Sequence, residues 1–583
     1  MSRDIKDLNT SEACSDQITK DESPAQLTND EKLRIANVES GSSTQIADQT
    51  STDQSDAESI GGQRNSDLPR KRLLISITAL SVCLFVSFLD QTSVSTATPS
   101  VAGELKTGTS TSWIGTSFLI ASTAFQLING RLSDIFGRKN MLLLCLFLMG
   151  VGDLACGFAK TPVQLYVFRS IAGVGGGGIN SLVMIIELGM LGAIIALANG
   201  VGPFLGGAIV QSATWRWVFW MIPIITLPTT AIIWFYLPLK HRSGEYMAKI
   251  KKIDYGGIVL NIAATLLLLI PISGGGVTYA WTSAFFIATV IMSIFLAVLF
   301  VLFEWKLAKL PIMPLRLYRA PHCWALYLQS FLTGLAYFGN FFYLPLYFQS
   351  VLGYDALVAG ALILAVVIPT SLTSILSGQY MSRVGSYMHC ILAGFALWTL
   401  GNGLTLIFDR ETKLGPLIGV LIVEGAGIGF TLQPTLVGMY ANGRSEDRAV
   451  TTGLRNFIRT IGGAFGVVIS GVILSNTLNK ELGGRGIVSN DTIAQLTSST
   501  YSLSRMGLSQ QDQDIILDAY MKGLCYTFLF FTVCTGLSLV LTFWVGNTSL
   551  KSPTKSEDAS GSADREMTED ERPGQVDLEK AQR

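Results

Sequence analysis

The decamer Gly130-Arg-Leu-Ser-Asp134-Ile-Phe-Gly137-Arg138-Lys139 joins two apolar stretches, 113–130 and 140–158. Each is near the ~20 residues needed to cross the ~30 Å hydrocarbon core of a bilayer. Within the decamer, glycines let the chain turn closely, Asp134 can cap a helix start, and the cations can engage acidic groups or helix C-termini. A similar skeleton, Gly378-Gln-Tyr-Met-Ser-Arg383-Val-Gly385, follows another apolar stretch with the same seven-residue spacing of glycines. The repeat predicts two related six-helix halves, with the stretches 256–273 and 281–303 inserted between them.

Further apolar stretches fall at 73–98, 163–186, 188–210, 217–238, 323–345, 356–377, 387–407, 415–440, 450–475 and 523–546, which brings the total to fourteen. At this length only helices satisfy their backbone polar groups in lipid, so the predicted fold is an all-α integral membrane bundle. Composition agrees: 49% of the 583 residues are hydrophobic and 14% charged, against about 25% charged in average soluble domains. Net charge is zero, yet residues 70–546 hold 30 basic and 19 acidic side chains while both ends are acidic.

Charge also orients the bundle. With the N-terminus inside, eighteen basic residues fall at cytoplasmic ends, including Arg70-Lys71-Arg72, Arg138, Lys139 and the run from Lys240 to Lys252. The short opposite loops hold five: Lys106, Lys160, Arg216, Arg410 and Lys413. The expected domains are a disordered acidic tail at 1–69, a six-helix bundle at 70–238, and a linker with two inserted helices at 239–322. A second six-helix bundle at 323–546 follows, with an exterior loop at 476–522, and then a disordered tail at 547–583. Asn490, in Asn490-Asp-Thr, is the one glycosylation sequon on the exterior side. Seven of the eight cysteines lie in or beside apolar runs and no CxxC occurs, so neither a disulfide framework nor a metal site is expected. The four-glycine run Gly175 to Gly178 lies far from any Lys-Ser/Thr pair and no Walker A pattern occurs; ATP is not an expected partner, and no cofactor is signalled. The basic residues gather at the membrane face, which suits anionic lipid headgroups and not nucleic acid.

Between spans four and five the sequence SLVMIIELGMLGAIIALANG offers only Glu187 and Gly189 as breaks. A fused helix there would invert every later loop and put Lys240 to Lys252 outside, so a very tight turn near Glu187 is expected.

GRLSDIFGRK resembles the signature loop of the major facilitator superfamily. LDQTSVSTATPSV around Asp90, RSIAGVGGGGINS from Arg169, NGVGPFLGGA around Gly202-Pro203 and TWRWVFW from Thr214 resemble segments of the fungal 14-span drug:H⁺ antiporter family. The likeness covers residues 70–546 and implies two pseudo-symmetric bundles around a central cavity, exporting small organic molecules in exchange for protons. The sequence departs from that pattern in one important place, besides a smaller departure at Ala198, where the antiporter motif usually begins with glycine. The polar, Arg-containing segment that family members carry between spans four and five is missing, roughly a dozen residues around Glu187.

Ionisable residues inside membrane spans are costly and mark function. Asp90 in span one is the first candidate for proton coupling, and Arg169 in span four resembles the family's buried arginine that modulates a carboxylate. Glu424 in span twelve is the second candidate carboxylate. Asp153 in span three is isolated among glycines and receives no role. Arg455 and Arg459 share one helix face and are expected to snorkel or to pair with an acid. Gly202, Pro203, Gly206 and Gly207 allow a kink and close helix approach; the resemblance makes them an antiporter motif. Phe338, Phe341 and Tyr343, with Phe342, are weaker candidates for lining a substrate cavity. Trp215, Trp217 and Trp220 read as an interfacial belt. The expected function is therefore proton-coupled efflux of amphipathic compounds such as toxins, secondary metabolites or drugs, from the plasma membrane and not by an enzyme. Alternatives are siderophore or basic amino acid transport in a related 14-span family, and an inactive membrane protein lacking the missing segment.

Overall fold

The computed structural model describes residues 70–107, 110, 113–186, 191–237, 254–274, 279, 282–308, 311–319, 322–354, 356–444, 447–482 and 510–547. The two expected tails, Glu187 and Asn490 lie outside them. Fourteen long helices fill the described residues. The first six are α1 (Arg70–Leu105), α2 (Trp113–Phe136), α3 (Arg138–Gly157), α4 (Pro162–Ile186), α5 (Leu191–Ser212) and α6 (Arg216–Tyr236). The inserted pair is α7 (Tyr255–Gly274) and α8 (Ala284–Lys306). The second six are α9 (Cys323–Ser350), α10 (Ala356–Val384), α11 (Met388–Leu404), α12 (Leu414–Asn442), α13 (Arg448–Leu482) and α14 (Gln510–Leu541). Ten of these helices are long and apolar enough to cross a bilayer by length and hydropathy together.

The apolar run between spans four and five breaks into two helices, α4 ending at Ile186 and α5 starting at Leu191. Their directions follow from their contacts with α1. Arg169 lies against Asp90 and Gly176 against Ser87, so α4 runs antiparallel to α1. Gly202 faces Thr92 and Gly206 faces Ser93 and Thr96, so α5 runs parallel to it. The chain direction therefore reverses between α4 and α5.

Each half turns through a glycine where its repeat predicts one. Gly137, between α2 and α3, has φ 88°, and Gly385, just after α10, has φ 78°. L side chains rarely adopt this backbone, which explains the repeated residue. Asp134 is a correction: it lies inside α2, and α3 is capped by Gly137 with no side-chain cap bond. The described helices reach into the segment expected as the exterior loop. Helix α13 runs to Leu482 and α14 begins at Gln510, and Asp514 and Asp518 on the first turns of α14 pair with Arg410 in the link before α12.

The first bundle packs around Leu80, Leu84, Leu142, Met149 and Leu182. The second packs around Tyr347, Phe348, Phe395, Trp398 and Phe528. They meet where a Cβ on Gly130 would lie 2.9 Å from the Ala449 carbonyl oxygen, and one on Gly453 3.0 Å from that of Gln126. Small residues here let α2 and α13 approach closely. The inserted pair docks through α7, whose Asn261 donates to the Ala124 carbonyl at 3.1 Å. Helix α8 exposes Ile291, Phe295, Val298 and Leu302, a face suited to lipid. Its buried Glu304 accepts the backbone N–H groups of Ile312 and Met313 at 2.9 and 3.1 Å, tying the following linker to the helix end.

Candidate transport site

Packing of α4 sets the geometry of the first site. A Cβ on Gly173, Gly175 or Gly177 would collide with Phe118, Cys145 or Ser122 respectively, and one on Gly152 of α3 would collide with Ala172. Three helices, α2, α3 and α4, are thus drawn together at backbone contact, and the one long polar side chain of α4 at that level, Arg169, is enclosed. Asp90, Asp153 and Arg169 are 0%, 0% and 1% exposed.

Nη1 of Arg169 donates to both oxygens of Asp90 at 2.7 Å and lies 3.4 Å from Oδ1 of Asp153. Its Nε contacts the Ile114 carbonyl at 3.4 Å, and the guanidinium carbon lies 4.6 Å from the Phe118 ring centre and 5.6 Å from that of Phe219. Oδ2 of Asp153 has no hydrogen-bond partner. The structure therefore brings the expected Asp90 and Arg169 together and adds Asp153. Its only sequence signal was an acid at membrane depth, because the partner lies sixteen residues away on another helix.

Glu424 occupies the other bundle. It is fully buried, and its Oε1 accepts from Nδ2 of Asn340 at 2.7 Å, which also donates to Oδ1 of Asn402 at 2.8 Å. Among the described residues it forms no ion pair. The Asn340 amide holds this carboxyl, with the Trp398 indole beside it.

A third group sits where the bundles meet. Asn199 of α5 donates to the Tyr337 hydroxyl of α9 at 3.2 Å, and Asn456 of α13 to the Met184 sulfur of α4 at 3.4 Å. Phe338 and Phe341 pack on Tyr337, with ring centres 5.4 and 4.7 Å away. Arg459 lies 5.8 Å from the Tyr337 ring and 6.0 Å from that of Phe338. Tyr343 points elsewhere: its hydroxyl donates to the Val467 carbonyl at 3.1 Å and its ring meets Phe531, inside the second bundle. Phe342 is exposed on the outer surface. Contrary to the expectation of snorkelling or pairing, Arg455 and Arg459 are buried and make no ion pair among the described residues.

In the signature loop, Lys139 donates to the Trp234 and Leu237 carbonyls at 2.8 and 2.9 Å, closing the C-terminus of α6 as the helix dipole favours. Arg131 and Asp134 lie 3.8 Å apart. In α5, Gly202 and Gly206 abut α1 directly after Asp90, whereas a Cβ on Gly207 would meet nothing within 4 Å. Trp217 and Trp220 stack edge to face, and Trp215 donates to Glu104 at 2.6 Å.

A helical bundle that repeats one glycine turn in both halves and encloses its charges between membrane helices is built as a membrane transporter. The chain belongs to the Major Facilitator Superfamily, whose model matches residues 80–467. Citrate exporter 1 of Yarrowia lipolytica is 37% identical over 500 residues, 84% of this chain and 74% of that one. MFS-type transporter clz4 of Cochliobolus lunatus is 33% identical over 85% of this chain and 90% of its own length. Efflux pump dotC of Dothistroma septosporum is 36% identical over 71% and 73%. Among solved structures, the human organic anion transporter MFSD10 has a TM-score of 0.53 at 14% identity, over 82% of this chain and all of that one. The proton:xylose symporter XylE, as a double Trp mutant, scores 0.51 at 11%, over 82% of this chain and 96% of its own. These two likenesses establish the fold.

Proposed function

We propose that the protein is a proton-coupled exporter of small amphipathic organic compounds in the plasma membrane. The observation that carries this reading is the enclosed cluster of Asp90, Asp153 and Arg169. Two carboxylates against one guanidinium reach neutrality by taking up one proton, which belongs to the pair of acids rather than to either alone. Binding and release of that proton give the cycle its coupling ion. Phe118 and Phe219 hold the arginine in place, and the Gly202–Gly207 stretch lets α5 slide against α1 beside the acids.

Export as the direction of transport is supported by the relatives named as an exporter and an efflux pump. An inactive protein is disfavoured by the helices themselves, since α4 and α5 take opposite directions against α1 as the transporter fold requires. In the cycle, the turns at Gly137 and Gly385 hold the signature-loop end of each bundle rigid while Gly130 and Ala449 part. Purified protein in lipid vesicles, loaded with a fluorescent dye such as rhodamine 6G or a radiolabelled carboxylate, tests the reading. Movement of either probe that follows an imposed pH gradient and collapses with a protonophore supports it; rates indifferent to the gradient for both would refute it.

A further inference from the structure

We infer that Arg455 and Arg459 form a recognition site for an organic anion, so that the compounds carried bear at least one carboxylate. The inference deepens the export reading by naming the substrate class; it shares that reading's choice of direction but not its coupling ion.

Neither arginine has a counter-charge among the described residues. Arg455 and Arg459 are 3% and 8% exposed. Counting from Arg448, the start of α13, they lie about 10 and 16 Å along the helix, so Arg459 approaches mid-bilayer. Arg455 has neutral partners only, the Leu432 carbonyl at 2.6 Å, the Thr435 hydroxyl at 3.4 Å and the Asn456 amide oxygen at 3.4 Å. Arg459 makes no hydrogen bond among the described residues and rests against the rings of Tyr337 and Phe338. The Nε of each has no partner. The membrane carboxylates that balance them in number are committed elsewhere, Asp90 and Asp153 to Arg169 and Glu424 to Asn340.

Two guanidiniums in low dielectric demand an anion. Four residues apart, they project from one helix face with Cβ atoms about 5–6 Å apart, a separation that one or two carboxylates bridge through paired N–H···O bonds. Their place is where a substrate must pass. The same stretch of α13 carries Asn456, bonded to Met184 across the bundle interface, and Arg459 faces Tyr337, bonded to Asn199 across it. Parting the bundles breaks both bonds and opens the arginines to the gap. The walls, Tyr337, Phe338 and Met184, are apolar or aromatic, which suits an organic body behind the carboxylate rather than chloride or phosphate.

The test uses the full-length protein. In detergent, thermal unfolding is followed with citrate, benzoate, chloride, phosphate or the cation rhodamine 6G at matched ionic strength. In vesicles, exchange of radiolabelled citrate and benzoate is compared with movement of rhodamine 6G. The expected result is that at least one of the two carboxylates raises the melting temperature and exchanges, and that Arg459→Gln abolishes both effects, with a tenfold or greater loss of exchange. Arg459→Lys, which keeps the charge but not the fork, retains part of each and guards against a variant that fails to fold. Stabilisation by chloride or phosphate equal to that by the carboxylates, or carboxylate exchange indifferent to Arg459→Gln, overturns the inference. Transport of rhodamine 6G alone also overturns it while leaving proton-coupled export standing.

Discussion

Arg169 reaches Asp90 through a single nitrogen, Nη1, which lies 2.7 Å from both carboxylate oxygens and 3.4 Å from Asp153. One such nitrogen carries two hydrogens and here faces three oxygens. Its bonds are therefore shared, and a small rotation trades one acid for the other. The grip of Arg316 on Asp447 differs, with two nitrogens each reaching one oxygen.

Removing the cation strands two buried carboxylates. Arg169→Ala is expected to destabilise the protein by about 3–5 kcal/mol and to abolish transport. Arg169→Lys keeps the charge, loses the ring contacts and is expected to fold while transporting slowly. Unfolding temperature and efflux at matched protein levels check both; an Arg169→Ala protein as stable as the wild type would contradict the assignment.

Asp153→Asn leaves a one-to-one pair of Asp90 and Arg169, neutral without a proton. The variant is expected to fold as well as the wild type and to lose the pH dependence of efflux. Efflux rates measured across a pH series decide it, and a wild-type profile would place the coupling proton elsewhere.

The two adjacent glycines that close the α5 stretch should behave differently. A Cβ on Gly206 runs into the Ser93 carbonyl and Thr96, whereas one on Gly207 meets open space. Gly206→Ala is expected to cost about 1–3 kcal/mol through overpacking, and Gly207→Ala to stay within about 0.5 kcal/mol of the wild type. Thermal unfolding of the purified variants separates them.

At the far end of α1 from Arg70, Glu104 accepts from Arg216 at 2.7 Å and from Trp215 at 2.6 Å. The Arg216 bond first, and the Trp215 bond second, hold its carboxyl below the usual carboxylate range. A carboxyl whose pKa is lower folded than unfolded adds stability that is complete above its unfolded value of about 4.3 and fades as pH falls through the folded one. Glu104→Gln is thus expected to unfold at a lower temperature than the wild type at pH 7, by a small margin because the pair is partly exposed, with the gap closing below about pH 4.

Much of this was legible in the sequence because it is local. Span lengths come from runs of apolar residues, and the matching turns at Gly137 and Gly385 come from a seven-residue spacing. The reversal between α4 and α5 followed from charge placement alone. What was not legible depends on partners distant in the chain. Asp153 looked isolated until α3 and α4 packed it beside Arg169. Arg455 and Arg459 looked like a snorkelling pair, because nothing in a helix repeat states which face turns toward another bundle. Tyr343 illustrates the same gap: five residues beyond Phe338, it faces the interior of its own bundle. Asp134, expected at a helix start, lies within α2 because Gly137 alone makes the turn.

The central claim is that the proton cycle runs through Asp90 and its partners. The most direct measurement is efflux from vesicles under an imposed pH gradient, comparing the wild type with Asp90→Asn at matched protein levels. The amide keeps the shape and fixes the position as neutral, so the account expects gradient-driven efflux to be abolished while folding and substrate binding persist. Undiminished, gradient-dependent efflux by Asp90→Asn would contradict it and shift the coupling role to Glu424.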